Sequence, residues 1–397
     1  MESILGMRDI YPREARLRRK IQETLCQLFK SWGYEEVEPP TVESYEIFAQ
    51  TTGEEIRERM YQFVNREGKL VCLRPEFTTS VARMFAKEEE TNLPRRVYYA
   101  GKIFRYPASP FCFESELTQI GVEHIGSNTI ESDGEVIALA VSSLKALGIH
   151  GFQVDIGHVG VFRYLLAKLP LTDEERSIAK DLIKKKDFVA LQNFWQKKKL
   201  EEHPAATFLL RFPFLRGREE ILLEGQEWSQ DSEWTTIMEY LKQIFVRLRE
   251  FGLAEHLFLN LGLIRDFDYY TGVIWEGFSP HLGYPLLAGG RYDELFQIFG
   301  KDFPSCGFAL FLERVVEAMQ KYKSWEEKVT SPIRLTYPPG WGKKAFEVAE
   351  KLRQEGFSIV MEETEDEAFT LTSPVKTIQF SIPEMESIEK IIKELRS

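Results

Sequence analysis

The sequence predicts an α+β protein, an antiparallel or mixed sheet flanked by helices, with a helical insertion and a small C-terminal α/β segment. Three observations lead there. Strand-like stretches in the first third outnumber what strict alternation with helices would give. From about residue 160 to 225 strand signals thin out, and Leu and Phe recur at heptad-like spacings among lysine runs. From Pro332 onward, short strand and helix patterns alternate to the end of the sequence.

The elements follow in order. Between Glu14 and Trp32, Leu17, Ile21, Leu25, Leu28 and Phe29 form one apolar helix face, stopped by Gly33. Tyr34 to Val37 then leads into Pro39-Pro40, where helix is disfavoured. Leu70 to Leu73 reads as a short buried strand, Thr78 to Phe85 as a helix, and Val97 to Phe104 and Gln119 to Ile125 as strands. Asp133 to Leu147 is a helix stopped by Gly148, and Trp234 to Glu250 another, ended by Gly252. Leu257 to Arg314 holds strands, glycine-marked turns and a final helix. In the tail, Ile333–Tyr337, Phe357–Met361 and Val375–Phe380 read as strands, and Lys343–Gln354 and Met385–Arg396 as helices.

At roughly 150 residues per domain, 397 residues imply two or three domains. A hydrophobic content of 43% with 28% charged residues is that of a globular chain, not a disordered one. Lys and Arg number 51 against 62 Asp and Glu, a net charge of −11, which argues against binding nucleic acid mainly through counterion release. The runs Lys184–Lys186 and Lys197–Lys199 read as solvated helix faces rather than an RNA patch. Cys26, Cys72, Cys112 and Cys306 form no CxxC pair and read as reduced thiols. The six histidines show no close metal-ligand spacing and read as surface or satisfied core residues. No signal peptide and no membrane span is recognisable, so a soluble, cytoplasmic protein is expected. Walker, HExxH, nucleophile-elbow and dinucleotide motifs are absent, and no cofactor or metal is implied.

Three stretches carry candidate chemistry. In Arg74-Pro75-Glu76-Phe77-Thr78, Glu76 can take an ammonium group and Thr78 a polar edge of the same ligand; a capped helix start, with Thr78 as N-cap and Glu76 solvated, is the competing reading. Arg105, set between Phe104 and Tyr106, needs a carboxylate or a ligand anion if it is buried. Gln119 and Glu123 lie on one strand at an even spacing and face one side; a buried Arg–Glu pair within the sheet is the alternative. In Arg265-Asp266-Phe267-Asp268-Tyr269-Tyr270-Thr271-Gly272 the adjacent tyrosines, if on a strand, point to opposite faces, so only one can line a pocket.

Together these stretches resemble the class II histidyl-tRNA synthetase family. The likeness runs through Gly6-Met7-Arg8-Asp9-Ile10-Tyr11-Pro12, Met60-Tyr61-Gln62-Phe63, Leu73-Arg74-Pro75-Glu76, Phe104-Arg105, Gln119-Ile120-Gly121-Val122-Glu123, Asp268 to Gly272, Gly289-Gly290-Arg291-Tyr292-Asp293, Gly307-Phe308-Ala309 and Leu312-Glu313-Arg314. It implies a synthetase-like domain over residues 1–325, interrupted by the insertion, and a shortened anticodon-domain-like segment over 330–397. It further implies a histidine site of Glu76, Thr78, Arg105, Gln119, Glu123, Arg265, Tyr269 and Tyr270, with Arg314 stacking on adenine.

The departures lie on the ATP side. Pro107 stands where the family has a glutamate, no Arg or Lys lies between Arg105 and Gln119, and Glu114 and Glu116 occupy the stretch. Phe311 replaces a small glycine before Leu312-Glu313-Arg314, and only Ala349 to Phe357 resembles the anticodon-binding domain. Adenylate formation needs positive charge around the phosphates. This pattern resembles the regulatory-subunit family of ATP phosphoribosyltransferase, which implies no chemistry of its own. It implies a short-form catalytic subunit as partner, free histidine as effector, a homodimer within a hetero-oligomer, and no tRNA. A working histidyl-tRNA synthetase and a free-standing histidine-binding paralogue stay open as alternatives.

Overall fold

A computed structural model of the chain describes residues 6–107, 114–264, 269–280, 282–322, 332–366, 368–373, 377–380, 391–393 and 395. The chain divides into two units, Met1–Trp325 and Glu326–Ser397.

In the first unit a nine-stranded sheet runs in the spatial order Glu35–Glu36, Arg95–Phe104, Glu116–Ile125, Ser305–Phe311, Pro285–Arg291, Val273–Phe278, Gln153–His158, Leu257–Asn260 and Arg216–Gly217. Only the pairs Glu35–Glu36 with Arg95–Phe104, and Gln153–His158 with Leu257–Asn260, are parallel. The sheet is therefore mixed and mostly antiparallel, as the sequence predicts. The ten-residue strands Arg95–Phe104 and Glu116–Ile125 pair Gly101 with Gln119 and Val97 with Glu123. On the other side, Ser305–Phe311 sets Phe311 opposite Gln119 and Gly307 opposite Glu123. Both polar residues thus sit mid-sheet, flanked by strands on each side.

The helix Pro12–Ser31 buries Leu17, Ile21, Leu25 and Phe29 along one stripe. It starts two residues before the expected Glu14, because Pro12 is well placed in a first helical turn. Gly33, at φ 82°, takes the left-handed conformation that ends it. The helix Ile130–Ala146 begins ahead of the expected Asp133, since the Thr129 side chain caps Ser132 N–H. Asp133 is then left in the interior, where Arg291 Nε and Nη2 grip it at 2.8–3.1 Å. Arg291 also donates to Ser127 O and Asp293 Oδ1. The Gly289-Gly290-Arg291 stretch is thus a strand-to-helix clasp.

The insertion is helical, as expected: Val159–Ala167, Asp173–Lys184, Phe188–Lys198, Pro204–Leu210 and Glu219–Trp228. Its Leu191, Trp195, Phe208 and Leu209 join the apolar core that also holds Val154, Ile156 and Trp275 of the sheet. Within it, Arg216–Gly217 pairs with Leu257–Asn260 as an edge strand that the helical reading did not include. Lys185, Lys186, Lys197, Lys198 and Lys199 are exposed, as a solvated face requires.

In the second unit four strands run in the order Ile359–Glu363, Ile333–Tyr337, Phe369–Thr372, Thr377–Phe380, and the helix Gly342–Gln354 buries Ala345, Val348, Ala349 and Leu352. Phe369–Thr372 was not expected as a strand; only its Phe369 and Leu371 are buried, a pattern too short to read. Of the expected helix at Met385–Arg396, residues 391–393 and 395 are helical and the others lie outside the described residues.

Among the described histidines, His124 departs from expectation. His124 is buried with neither ring nitrogen hydrogen-bonded among the described residues, and burial pushes it down to about 4, so it is neutral. Cys26, Cys72 and Cys306 are free thiols, and Cys112 lies outside the described residues. No helix among the described residues is long and apolar enough to cross a membrane, and no group of metal-ligating side chains occurs among them.

The clasp yields a stability prediction. Asp133→Ala would leave the buried Arg291 guanidinium with Asp293 as its remaining carboxylate, at a cost toward the lower end of about 3–5 kcal/mol. Urea denaturation measures it, and a loss below about 1 kcal/mol would show that water or Asp293 takes over.

Candidate functional site

The site begins at the turn after the strand Leu70–Leu73. Arg74 fixes that turn by donating to Pro39 O at 2.6 Å and Lys102 O at 2.8 Å, and it lies 4.0 Å over the Phe77 ring. Glu76 is thereby turned inward and is only 2% exposed. Its carboxylate accepts Thr79 N–H at 3.0 and 3.2 Å, so Glu76, not Thr78, caps the helix Thr78–Phe85. The reading of a solvated Glu76 is corrected here. Burial raises its carboxyl pKa, while Thr79 and the Arg105 charge pull it back. Arg105, also buried, donates from Nε to Pro75 O, and burial holds it down at about 10.

Thr78 is freed from capping and donates to Glu123 Oε1 at 2.8 Å. Tyr99 OH donates to the same oxygen at 3.1 Å, and Tyr292 OH donates to Oε2. Glu123 is fully buried, and desolvation outweighs these three donors, pushing its carboxyl up to about 8. Gly307, paired with it across the sheet, admits the carboxylate: a Cβ there would stand 1.8 Å from Oε2.

Glu76, Thr78, Gln119, Tyr269, Tyr270, Tyr292 and Phe311 line a cavity of about 30 Å³, room for roughly two water molecules. Gln119 Oε1 is buried there with no hydrogen-bond partner among the described residues, an acceptor offered to a ligand donor. Both Tyr269 and Tyr270 line the cavity, which corrects the expectation that only one could. The pair precedes the strand Val273–Phe278 rather than lying in it, so strand alternation does not apply. Their rings sit 4.8 Å apart. Arg163 Nη2 holds Tyr270 O at 2.8 Å, and a Cβ on Gly290 would come within 2.6 Å of the Tyr270 ring. Of the eight expected residues, five form the wall, Glu123 stands behind Thr78, and Arg105 braces the Glu76 turn. Arg265 lies outside the described residues.

Just before the strand Glu116–Ile125, Glu114 meets Arg8 Nε at 2.8 Å, and Arg8 also pairs with Glu14. Glu116 pairs with Lys102 Nζ at 3.1 Å. Tyr106 stacks on Tyr61 at 4.1 Å, and its carbonyl accepts Arg59 Nε at 2.7 Å. Arg314 donates to Pro285 O at 2.7 Å and lies 4.3 Å over the Phe311 ring. Residues 108–113 of the intervening loop lie outside the described residues.

The sequence over residues 6–315 matches the histidyl-tRNA synthetase family. An ATP phosphoribosyltransferase regulatory subunit from Caldanaerobacter subterraneus subsp. tengcongensis is 36% identical over 90% of this chain and 93% of its own length. Another from Desulfitobacterium hafniense is 36% identical over 90% of each. The chain belongs to the family of ATP phosphoribosyltransferase regulatory subunits. Among solved structures, a protein described as ATP phosphoribosyltransferase regulatory subunit/histidyl-tRNA synthetase from Bacillus halodurans C superposes with a TM-score of 0.82 at 28% identity, covering 91% of this chain and 92% of its own. Histidyl-tRNA synthetase from Nostoc sp. PCC 7120 has a TM-score of 0.77 at 17% identity over 99% of both chains, a likeness of fold.

For this regulatory-subunit family member, sequence reasoning overlooked Tyr99, Tyr292 and Gly307 as parts of the site. Tyr292 and Gly307 were visible within the resemblance motifs, but nothing local shows that they meet Glu123. Tyr99 had no signal beyond its place in a strand.

Glu123 makes stability depend on pH in a definite direction. Its carboxyl is pushed up to about 8 in the folded chain, against about 4.3 when unfolded, so the folded state holds a proton that the unfolded state has lost between those values. Its contribution therefore falls as pH rises through that window. Glu123→Gln removes the decline, so the variant should gain on the wild type between about pH 5 and about pH 9 in urea midpoints. A difference that stays flat would show that Glu123 ionises normally.

Proposed function

We propose that the chain is the non-catalytic regulatory subunit of an ATP phosphoribosyltransferase. It assembles with a short-form catalytic subunit that condenses ATP with phosphoribosyl pyrophosphate, and it conveys feedback by free histidine. The observation that carries this reading is the division of the site. In the amino-acid half, Glu76 and Glu123 are buried and Gln119 offers an open acceptor among the described residues. The stretch between Arg105 and Gln119, where the resemblance expects basic residues around ATP, carries no Arg or Lys, and its Glu114 and Glu116 engage Arg8 and Lys102.

Histidine fits the amino-acid half by charge. Its ammonium group meets Glu76 and Gln119, and its ring reaches the tyrosines beside Glu123. The cavity is smaller than an amino acid, so a bound histidine must displace the rings of Tyr269 or Phe311 from where they stand. Feedback follows if histidine binds the inhibited complex better than the active one. The solvated lysine faces and the net charge of −11 support a protein that does not hold tRNA.

Two measurements test the reading. Mixed with a short-form phosphoribosyltransferase subunit, the protein should co-elute and raise the partner's activity, while alone it should show no histidine-dependent pyrophosphate exchange with ATP. Clear exchange at ordinary concentrations would establish a working synthetase instead. In isothermal titration, Glu76→Gln should weaken free histidine by about tenfold or more, the loss of one charge-assisted contact. Unchanged affinity would move the effector site elsewhere.

A further inference from the structure

A second cavity opens beside the first. It measures about 580 Å³, within the range of small-molecule sites, and it shares Tyr269 with the smaller cavity as a common wall. Two opposite charges, Arg57 and Glu294, line it together with Gln50 and Gln297. Among the described residues, neither the Arg57 guanidinium nor the Glu294 carboxylate is engaged in an ion pair or hydrogen bond with the rest of the chain. Salt bridges are otherwise frequent on this surface, including Arg59 with Glu55, close to Arg57 in sequence. Leu295 and the Tyr269 ring supply apolar wall next to those charges.

We infer that this outer cavity is a separate binding site for a free amino-acid zwitterion, its carboxylate taken by Arg57 and its ammonium by Glu294. The inference deepens the proposed effector function, because it gives the ligand a site of adequate volume on the near side of Tyr269. It also couples the two sites physically. Thr51, in the outer wall, accepts a hydrogen bond from Thr79 Oγ1 at 3.1 Å, and Thr79 N–H in turn holds Glu76 at 3.0 Å. Thr51 and Thr79 are both buried, so a shift of the outer wall is transmitted to the inner carboxylate rather than absorbed by solvent.

The pairing of charge with ligand is specific in sign. A zwitterion satisfies both Arg57 and Glu294 at once, whereas an amine lacking the carboxylate satisfies Glu294 and leaves Arg57 as it was. Histamine, the decarboxylated form of histidine, therefore separates the two contacts.

The test is equilibrium dialysis of the full chain with labelled L-histidine carried into the millimolar range, compared with histamine. The wild type should take up two equivalents of histidine in two affinity classes. Arg57→Ala and Glu294→Ala should each weaken one class by about tenfold and change the other by a smaller factor through the Thr51–Thr79 link, and histamine should bind the first class more weakly than histidine. Glu76→Gln should weaken the other class. A single equivalent unaffected by Arg57→Ala but weakened by Glu76→Gln would overturn the outer site and leave the inner one standing. A single equivalent lost in Arg57→Ala and indifferent to Glu76→Gln would support the outer site and sink the inner one.

Discussion

Burying the Glu123 carboxylate at mid-sheet imposes conditions on nearly every element around it. A carboxyl with no access to water needs donors, and they come from three places: Thr78 on a helix, Tyr99 on the neighbouring strand, and Tyr292 just past another. The strand on its far side must carry glycine, because a Cβ at residue 307 would overlap Oε2. Thr78 is available only because Glu76 takes over the capping of its helix. Glu76 in turn is aimed inward by the Arg74 anchor and braced by Arg105 through Pro75. The pocket is thus one connected polar structure inside an apolar sheet, costly to assemble and hard to alter piecemeal.

A carboxyl pushed up to about 8 is largely protonated near neutral pH and regains its charge most easily beside a cation. Where the strands Arg95–Phe104 and Glu116–Ile125 adjoin the connection between them, Glu114 and Glu116 meet Arg8 and Lys102 in ion pairs. The buried carboxyls and the paired glutamates thus meet their electrostatic requirements differently, the first through hydroxyl and amide donors and the second through ion pairs.

Much of the fold was legible in the sequence because it rests on local periodicity and punctuation. The stripe Leu17, Ile21, Leu25 and Phe29, the stops at Gly33, Gly148 and Gly252, and the strand Leu70–Leu73, of which only Cys72 is buried rather than the whole run, are signals read within a few residues. Boundaries slipped where a cap decided them, as at Thr129. The pair Tyr269-Tyr270 was misjudged because strand alternation was applied to residues that precede the strand.

The sequence by itself determined the α+β class, the helical insertion, the carboxylates and amide of the pocket, and the loss of basic residues between Arg105 and Gln119. These are matters of composition, spacing and residue type. Only the tertiary structure decided that Glu76 caps a helix, that Glu123 answers to Tyr99, Tyr292 and Gly307, and that Tyr269 divides two cavities. Each of these joins residues far apart in the chain, and a contact between distant segments leaves no periodic trace in either one.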